Sequence, residues 1–151
     1  MASQGTALDD IDRQIITLLA NDSRLSIKEL AGSVGLSSPS VSERLKRLAE
    51  SGVIRGFTVD IDPKALGYQF QAIVRIRPLP GKQPAVEKLL REMDEVIECD
   101  KVTGDDCFIA RMHLRSIEEL DVLLEKLTRW AETNSSIVKG MPVPRRLPPL
   151  K

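Results

Sequence analysis

The feature that most constrains the fold of this chain is a pair of short amphipathic segments joined by one glycine, within residues 26–52 (SIKELAGSVGLSSPSVSERLKRLAESG). Ser26 has the spacing of a capping box with the glutamate three residues on, which predicts that a helix begins there. Gly35 is predicted to end that helix, because glycine readily adopts the left-handed conformation that follows many helices. Ser38 is predicted to cap a second helix with Pro39 at its first position. Two capped helices with so short a turn are typical of a helix-turn-helix.

The second of these helices has a polar face suited to nucleic acid. Short hydroxyls and guanidinium groups near a helix N-terminus are the groups that make phosphate and base-edge contacts. The polar set comprises Ser37, Ser38, Ser40, Arg44, Lys46 and Arg47, and the opposite, buried stripe comprises Val41, Leu45 and Leu48. The spacing alone suits a solvated amphipathic helix equally well, so the flanking segments are needed to decide between the two.

Both flanking segments favour a DNA-binding domain. The preceding segment has apolar residues at helical spacing and acids near its positive dipole end, which predicts a first helix. Its apolar residues are Leu8, Ile11, Ile15, Leu18 and Leu19, and its acids are Asp9, Asp10 and Asp12. After the third helix, VIRGFTVDI at residues 53–61 predicts a short strand or hairpin. Residues 1–62 are therefore predicted to form a winged helix-turn-helix.

The overall composition bounds the class of protein. The 22 basic residues balance 22 acidic ones, which argues against a general polyanion binder and leaves a local basic patch that two copies would strengthen. A hydrophobic content of 42% indicates a globular chain, and no apolar run is long enough to cross a membrane. Cys99 and Cys107 are too few for a disulfide framework, so we expect a reducing cytoplasm.

The second half of the chain changes its hydrophobic period from helical to alternating. After a predicted linker at 63–67, the elements follow the order β-α-β-β-α-β, which predicts a ferredoxin-like domain over residues 68–151 and an α+β fold overall. The predicted strands are 70–76, 96–102, 107–114 and 135–143, and Trp130 ends the apolar stripe of the last helix. Such a sheet has one face without helices, and a second copy of the chain is the economical way to cover it.

The sequence contains no motif of catalysis or metal binding. His113 is the single histidine, no cysteine or histidine has zinc-ligand spacing, and neither a phosphate loop nor a nucleophile elbow is present. We therefore expect neither an enzyme nor a metal or cofactor. The alternative is a small-molecule-sensing or enzyme-like module whose helices only mediate assembly, which would show no salt-dependent binding to DNA.

At this point the chain resembles the Lrp/AsnC (feast/famine) family of transcription regulators over roughly residues 8–144. The runs that carry the resemblance are LDDIDRQIITLLANDSRLSIKELAGSVGLSSPSVSERLKRLAESGVIRGFTVDIDPKALG and VTGDDCFIARMHLRSIEELDVLLEKL. The resemblance implies dimers that pair through their sheets and assemble into tetramers or octamers. It also implies that a small effector, commonly an amino acid, tunes binding to double-stranded promoter DNA of amino-acid metabolism genes.

The resemblance further implies two sets of site residues. In the recognition helix, the residues expected to face the major groove are Ser38, Ser40, Val41, Ser42 and Arg44, and those expected to meet phosphate are Lys46, Arg47 and Arg55. The effector turn of the family, of Gly-Asp-Tyr-Asp type, corresponds here to Gly104, Asp105, Asp106 and Cys107. A partner subunit is expected to complete the pocket with Thr133, Asn134, Ser135 and Ser136.

The effector turn departs from the family pattern, since only its glycine and first acid are retained. A carboxylate there can pair with an α-ammonium group, while loop N–H groups and hydroxyls bind the α-carboxylate. Two adjacent acids, Asp105 and Asp106, equally suit a basic ligand or a cation. A plain polar hairpin turn is the third interpretation that the residues allow.

Overall fold

The computed structural model of the chain describes residues 7–150, which form two compact units. The first unit comprises residues 7–59 together with 145–150, and the second comprises residues 60–144. The helices of the first unit are α1 (Asp10–Asn21), α2 (Ile27–Val34) and α3 (Ser38–Glu50). The second unit contains β1 (Phe70–Pro78), α4 (Gln83–Glu92), β2 (Val96–Lys101), β3 (Phe108–Leu114), α5 (Ile117–Thr128) and β4 (Ala131–Ile137). The predicted α+β fold is confirmed.

Capping hydrogen bonds define the helix-turn-helix. Ser26 and Glu29 form the predicted capping box at the start of α2, and Gly35 ends that helix with a φ of 69°. The predicted cap of α3 was wrong by one residue, because Ser37 is the extended residue whose side chain accepts from the Ser40 N–H group. Ser38 is consequently the first residue of the helix, and Pro39 follows in its first turn, where no N–H donor is needed.

The strand or hairpin predicted after the third helix is not formed, since residues 53–62 have no strand. Ile54 packs against the three-helix core, but Phe57, Val59 and Ile61 are 63%, 75% and 55% exposed. A strand requires a neighbour for its backbone groups, and within the described chain this segment has none.

The four strands form one antiparallel sheet in the order β2-β3-β1-β4. Both α4 and α5 pack on the same face, where Val74, Ile76 and Met112 are fully buried. The predicted last strand was too long, because the pairing of β4 with β1 ends at Ile137. Trp130 packs half-buried against this core from the connection between α5 and β4, and not from the helix itself.

The linker predicted at 63–67 forms a 3₁₀ turn, Pro63–Leu66, capped by Asp62 and ended by Gly67. The Nη1 of Arg115 donates to the carbonyl of Leu66 at 3.2 Å, and its guanidinium lies 4.6 Å from the ring centroid of Tyr68. This turn is therefore fastened to the sheet unit. None of the described helices has the length and apolar character of a membrane span.

Candidate DNA-binding surface and effector cleft

The third helix is divided into a core side and an exposed side. Val41 and Leu48 are 0% and 1% exposed and pack among the three helices. The expectation that Val41 faces a DNA groove was therefore wrong, because its position at helical spacing from Leu45 and Leu48 directs it into the core. The other predicted contact residues that lie exposed are Ser37, Ser38, Ser40, Ser42, Lys46, Arg47 and Arg55.

The serines at the start of α3 serve partly to build the helix. The Ser37 hydroxyl accepts from the Ser40 N–H group at 3.4 Å and lies 2.8 Å from the Ser40 hydroxyl. Ser38 has no such internal partner, and it stands at the positive end of the helix dipole beside the unbonded N–H groups of the first turn. This end of α3 has the character of a site for phosphate or a base edge.

Arg44 is directed toward α1 and not toward open solvent. Its Nη1 donates to Asp9 at 2.6 Å and to Asp12 at 2.8 Å, and only 24% of its side chain is exposed. The pKa of Asp9 is lowered, first by the hydrogen bond from the Asp12 N–H group and then by Arg44. The expected groove contact of Arg44 is thus replaced in this structure by a connection between two helices.

Arg47 shares the same acceptor. Its Nη2 donates to both carboxylate oxygens of Asp12 at 2.8 and 2.7 Å, while Asp12 is 1% exposed. The sequence marked Asp12 only as an acid near a helix N-terminus. Its pairing with two arginines more than thirty residues away has no local signal, because that contact depends on how α1 packs on α3.

The predicted effector turn connects β2 to β3. Gly104 has a φ of 109° and Cys107 a φ of 56°, and the Val102 N–H group donates to the Cys107 carbonyl at 2.8 Å. Asp105 lies 3.9 Å from a guanidinium nitrogen of Arg77 on β1. The turn is therefore compact, and it has an ionic contact with the central strand.

An open cleft of about 520 Å³ lies beside this turn. Its lining comprises Arg75, Arg77, Asp106, Glu132, Thr133 and Asn134. Three predicted effector residues thus meet within one chain, whereas the resemblance implied that the β4 residues come from a partner. The other predicted residues, Gly104, Asp105, Cys107, Ser135 and Ser136, do not line this cleft.

The sequence analysis missed three of the residues that line the cleft. Arg75 and Arg77 occupy the outward positions of β1, and Glu132 lies opposite Arg77 on β4. Their available signal was the alternation in β1, which predicts an exposed face but not what that face adjoins.

The sheet face that α4 and α5 leave uncovered has a mixed character. Cross-strand pairing places on it Ile73, Arg75, Arg77, Glu98, Asp100, Ile109, Arg111, His113, Glu132, Asn134 and Ser136. Burial lowers the pKa of His113, and the Arg111 charge adds to this effect, so the imidazole is neutral at neutral pH. The predicted helix-free face is present, with two isoleucines among charged groups.

Metal binding has no support in the described residues. Within 7–150, no group of three or more histidine, cysteine, aspartate and glutamate side chains is arranged to hold an ion. Cys99 and Cys107 carry free thiols.

Family models match both units of the chain. The model for winged helix-turn-helix DNA-binding matches residues 8–55, and the model for the Lrp/AsnC ligand binding domain matches residues 71–148. The predicted order of a helix-turn-helix domain followed by a ligand-binding domain is confirmed.

Curated relatives match across most of their length. The HTH-type transcriptional regulator FL11 of Pyrococcus horikoshii is 36% identical over 118 residues, which are 78% of this chain and 78% of that protein. The HTH-type transcriptional regulator LrpA of Mycobacterium tuberculosis is 36% identical over 135 residues, 87% of this chain and 90% of that protein. Both are named as regulators of transcription and not as enzymes, in agreement with the sequence prediction.

Solved structures share the fold. LrpC of Bacillus subtilis matches with a TM-score of 0.87 at 28% identity, covering 93% of this chain and 100% of that one. The feast or famine regulatory protein of Mycobacterium tuberculosis, complexed with L-methionine, matches with a TM-score of 0.85 at 33% identity, covering 93% and 98%.

Proposed function

Because the chain belongs to the Lrp/AsnC family of transcriptional regulators, we propose that α3 binds promoter DNA and that an amino acid bound by the second unit modulates this binding. The controlled genes would be those of amino-acid metabolism, in the cytoplasm, where both cysteines stay reduced. The observation that carries the proposal is the exposed first turn of α3, where serine hydroxyls lie at a helix N-terminus and Lys46 lies on the same helix.

The charge on this surface supports binding by more than one copy. Arg44 and Arg47 share Asp12, so a large part of the basic charge of α3 is neutralised within the unit. A single helix with so small a surplus binds DNA weakly, since affinity depends on the number of phosphates neutralised. Two linked copies multiply the contacts and require half-sites about 10 bp apart or a multiple of that distance.

The partner that we propose for each copy is a second copy of the chain, placed on the uncovered face of the sheet. Ile73 and Ile109 lie half-buried on adjacent strands there, among arginines and acids that provide charges of both signs. A two-fold pairing brings such a mixed face against itself and lets opposite charges meet. Tetramers or octamers are the larger assemblies that we expect from the family.

Substitution of Lys46 tests the DNA-binding part. Lys46→Ala should weaken binding to all DNA sequences alike and reduce the slope of log affinity against log salt by about one per copy, because one phosphate contact is lost. Gel shifts over a salt series measure both quantities. Lys126→Ala, which removes an exposed lysine from α5 in the other unit, is the matched control. An unchanged slope in Lys46→Ala would remove this residue from the DNA surface, and absence of any salt-dependent binding by the parent protein would reject the function.

A screen of the twenty amino acids tests the effector part. Each is added to the full chain, and the melting temperature, the assembly state and the DNA affinity are measured. We expect at least one amino acid to raise the melting temperature, because a ligand that binds only the folded state stabilises it by mass action. If none changes any of the three quantities, the effector role is rejected while DNA binding stands or falls by its own test.

A further inference from the structure

The cleft beside the 104–107 turn contains one neutralised cation and one free cation. Arg77 lies 3.9 Å from Asp105 and 3.8 Å from Glu132, so acids of the turn and of β4 flank it. Arg75 also lines the cleft, and it forms no ion pair with any acid in residues 7–150. The cleft therefore offers one guanidinium whose hydrogen-bonding capacity is not used internally.

The same cleft contains a free anion. Asp106 is half-buried, and within the described chain its carboxylate has neither an ion pair nor a hydrogen bond, since only its backbone carbonyl accepts, from the Phe108 N–H group at 2.6 Å. A carboxylate in this position requires a donor, because leaving a partly buried charge without one is unfavourable. Arg75 and Asp106 thus present opposite charges to the space between them.

The remaining lining is polar. Thr133 supplies a hydroxyl and Asn134 an amide, and none of the six lining residues has an apolar side chain. An apolar ligand side chain placed here would remove water from these groups and return no hydrogen bonds. A ligand amide or hydroxyl would instead replace the lost water contacts.

From this arrangement we propose that the effector is an amino acid with a polar side chain, with Arg75 binding its α-carboxylate and Asp106 its α-ammonium group. Arginine presents parallel N–H donors that match a carboxylate in a bidentate manner, and an aspartate accepts from an ammonium group in a charge-assisted bond. A volume of about 520 Å³ lies within the range of small-ligand sites. This inference rests on the proposed effector function, which it narrows to one chemical class and two anchoring residues.

Pairs of amino acids with similar shape test the class. L-asparagine is compared with L-leucine, and L-glutamine with L-methionine, by calorimetric titration of the full chain. We expect the polar member of each pair to bind at least about tenfold more tightly, because the apolar member leaves polar groups unpaired. N-acetylation or amidation of the better ligand removes one charge and should weaken its binding by about tenfold or more. Equal or tighter binding of leucine and methionine, or of the blocked derivatives, would overturn the proposal.

Two variants test the anchoring residues. Arg75→Ala and Asp106→Asn should each weaken amino-acid binding by about tenfold or more, and Arg75→Lys should recover part of the loss because it restores the charge without the bidentate geometry. Arg129→Ala and Asp121→Asn, at exposed positions outside the cleft, are the matched controls and should bind as the parent does.

Light scattering of each variant separates a lost ligand contact from a changed assembly, since Arg75 lies on the uncovered sheet face. Parent-like affinity in both Arg75→Ala and Asp106→Asn would overturn the assignment even if a polar amino acid binds. Binding of no amino acid to the parent would overturn this inference together with the effector part of the proposed function, and an apolar preference would overturn only the inference.

Discussion

Asp12 joins the first helix to the recognition helix through a single buried carboxylate. Its two oxygens receive hydrogen bonds from Arg44 and Arg47, which hold α3 by the side of its N-terminal half and its middle. The same residue closes the capping box of α1 with Asp9. A residue with these contacts sets how the recognition helix is presented, even though its own side chain is hidden from DNA.

Replacement of Asp12 by asparagine should destabilise the helical unit by about 1–3 kcal/mol. Breaking a fully buried ion pair has a larger effect, but the arginine side chains are 24% and 54% exposed, so water compensates part of the loss. Hydrogen exchange over α1, α2 and α3 measures the change in this unit. Asp10→Asn is the control, because Asp10 is 93% exposed and pairs only with Arg13 at the surface. Equal protection in the two variants would contradict a structural role for Asp12.

Acid should loosen the helical unit through its capping carboxylates. Hydrogen bonds from backbone N–H groups and from Arg44 lower the pKa of Asp9 from 3.8, and bonds from Ser26 lower the pKa of Glu29 from 4.5. Folding therefore favours the charged forms, and their contribution is complete above those ordinary values and is lost as pH falls through the lower native ones. Hydrogen exchange of the helices between about pH 3 and 6 measures this loss. Asp9→Asn with Glu29→Gln should flatten the dependence, and an equally steep one would exclude these groups as its source.

At the scale of elements, the turn between α2 and α3 depends on backbone conformation and not on side-chain space. A Cβ at Gly35 would meet no atom within 4 Å, yet the φ there is 69°. The Leu36 N–H group donates to the Ala31 carbonyl at 3.1 Å, which continues the chain directly into α3. The angle at which the recognition helix leaves the turn therefore depends on a left-handed residue.

Two glycine substitutions should have opposite effects on stability. Gly35→Ala should destabilise the helical unit by about 1–2 kcal/mol, because an alanine in the left-handed region is strained. Gly32→Ala, three residues earlier inside α2 and also without neighbours within 4 Å, should stabilise it by about 0.5–1 kcal/mol, since alanine is the better helix former. Urea unfolding followed by helical circular dichroism measures both. Effects of the same sign would mean that side-chain contacts govern this turn.

At the scale of the whole molecule, the uncovered sheet face should govern assembly. Ile73→Lys places another cation beside Arg75 and Arg111, so it should oppose pairing of two such faces and shift the protein toward monomer in sedimentation measurements. DNA affinity should then fall by about a hundredfold or more, because the two half-sites are no longer bound together.

Val122→Lys provides the control for this prediction. Val122 is 57% exposed on α5, which packs on the opposite face of the sheet, so the variant adds the same charge away from the proposed contact. It should keep the assembly state and DNA affinity of the parent. A dimer that survives Ile73→Lys would contradict pairing through this face.

The sequence by itself determined the features that depend on near neighbours along the chain. The capping box at Ser26, the left-handed Gly35 and the alternation in β1 each require contacts within a few residues, so local chemistry predicts them. The order of elements followed from these features, and with it the α+β fold. The recognition helix was predicted from its own polar face.

Only the tertiary structure decided which side chains of distant elements meet. Arg44 and Arg47 lie 32 and 35 residues from Asp12 along the chain, and Arg75 and Asp106 line one cleft although different strands and turns carry them. The strand predicted after α3 failed for the same reason, because a strand forms only where a neighbouring strand satisfies its backbone. Such contacts depend on how elements pack together, and packing is a property of the whole fold.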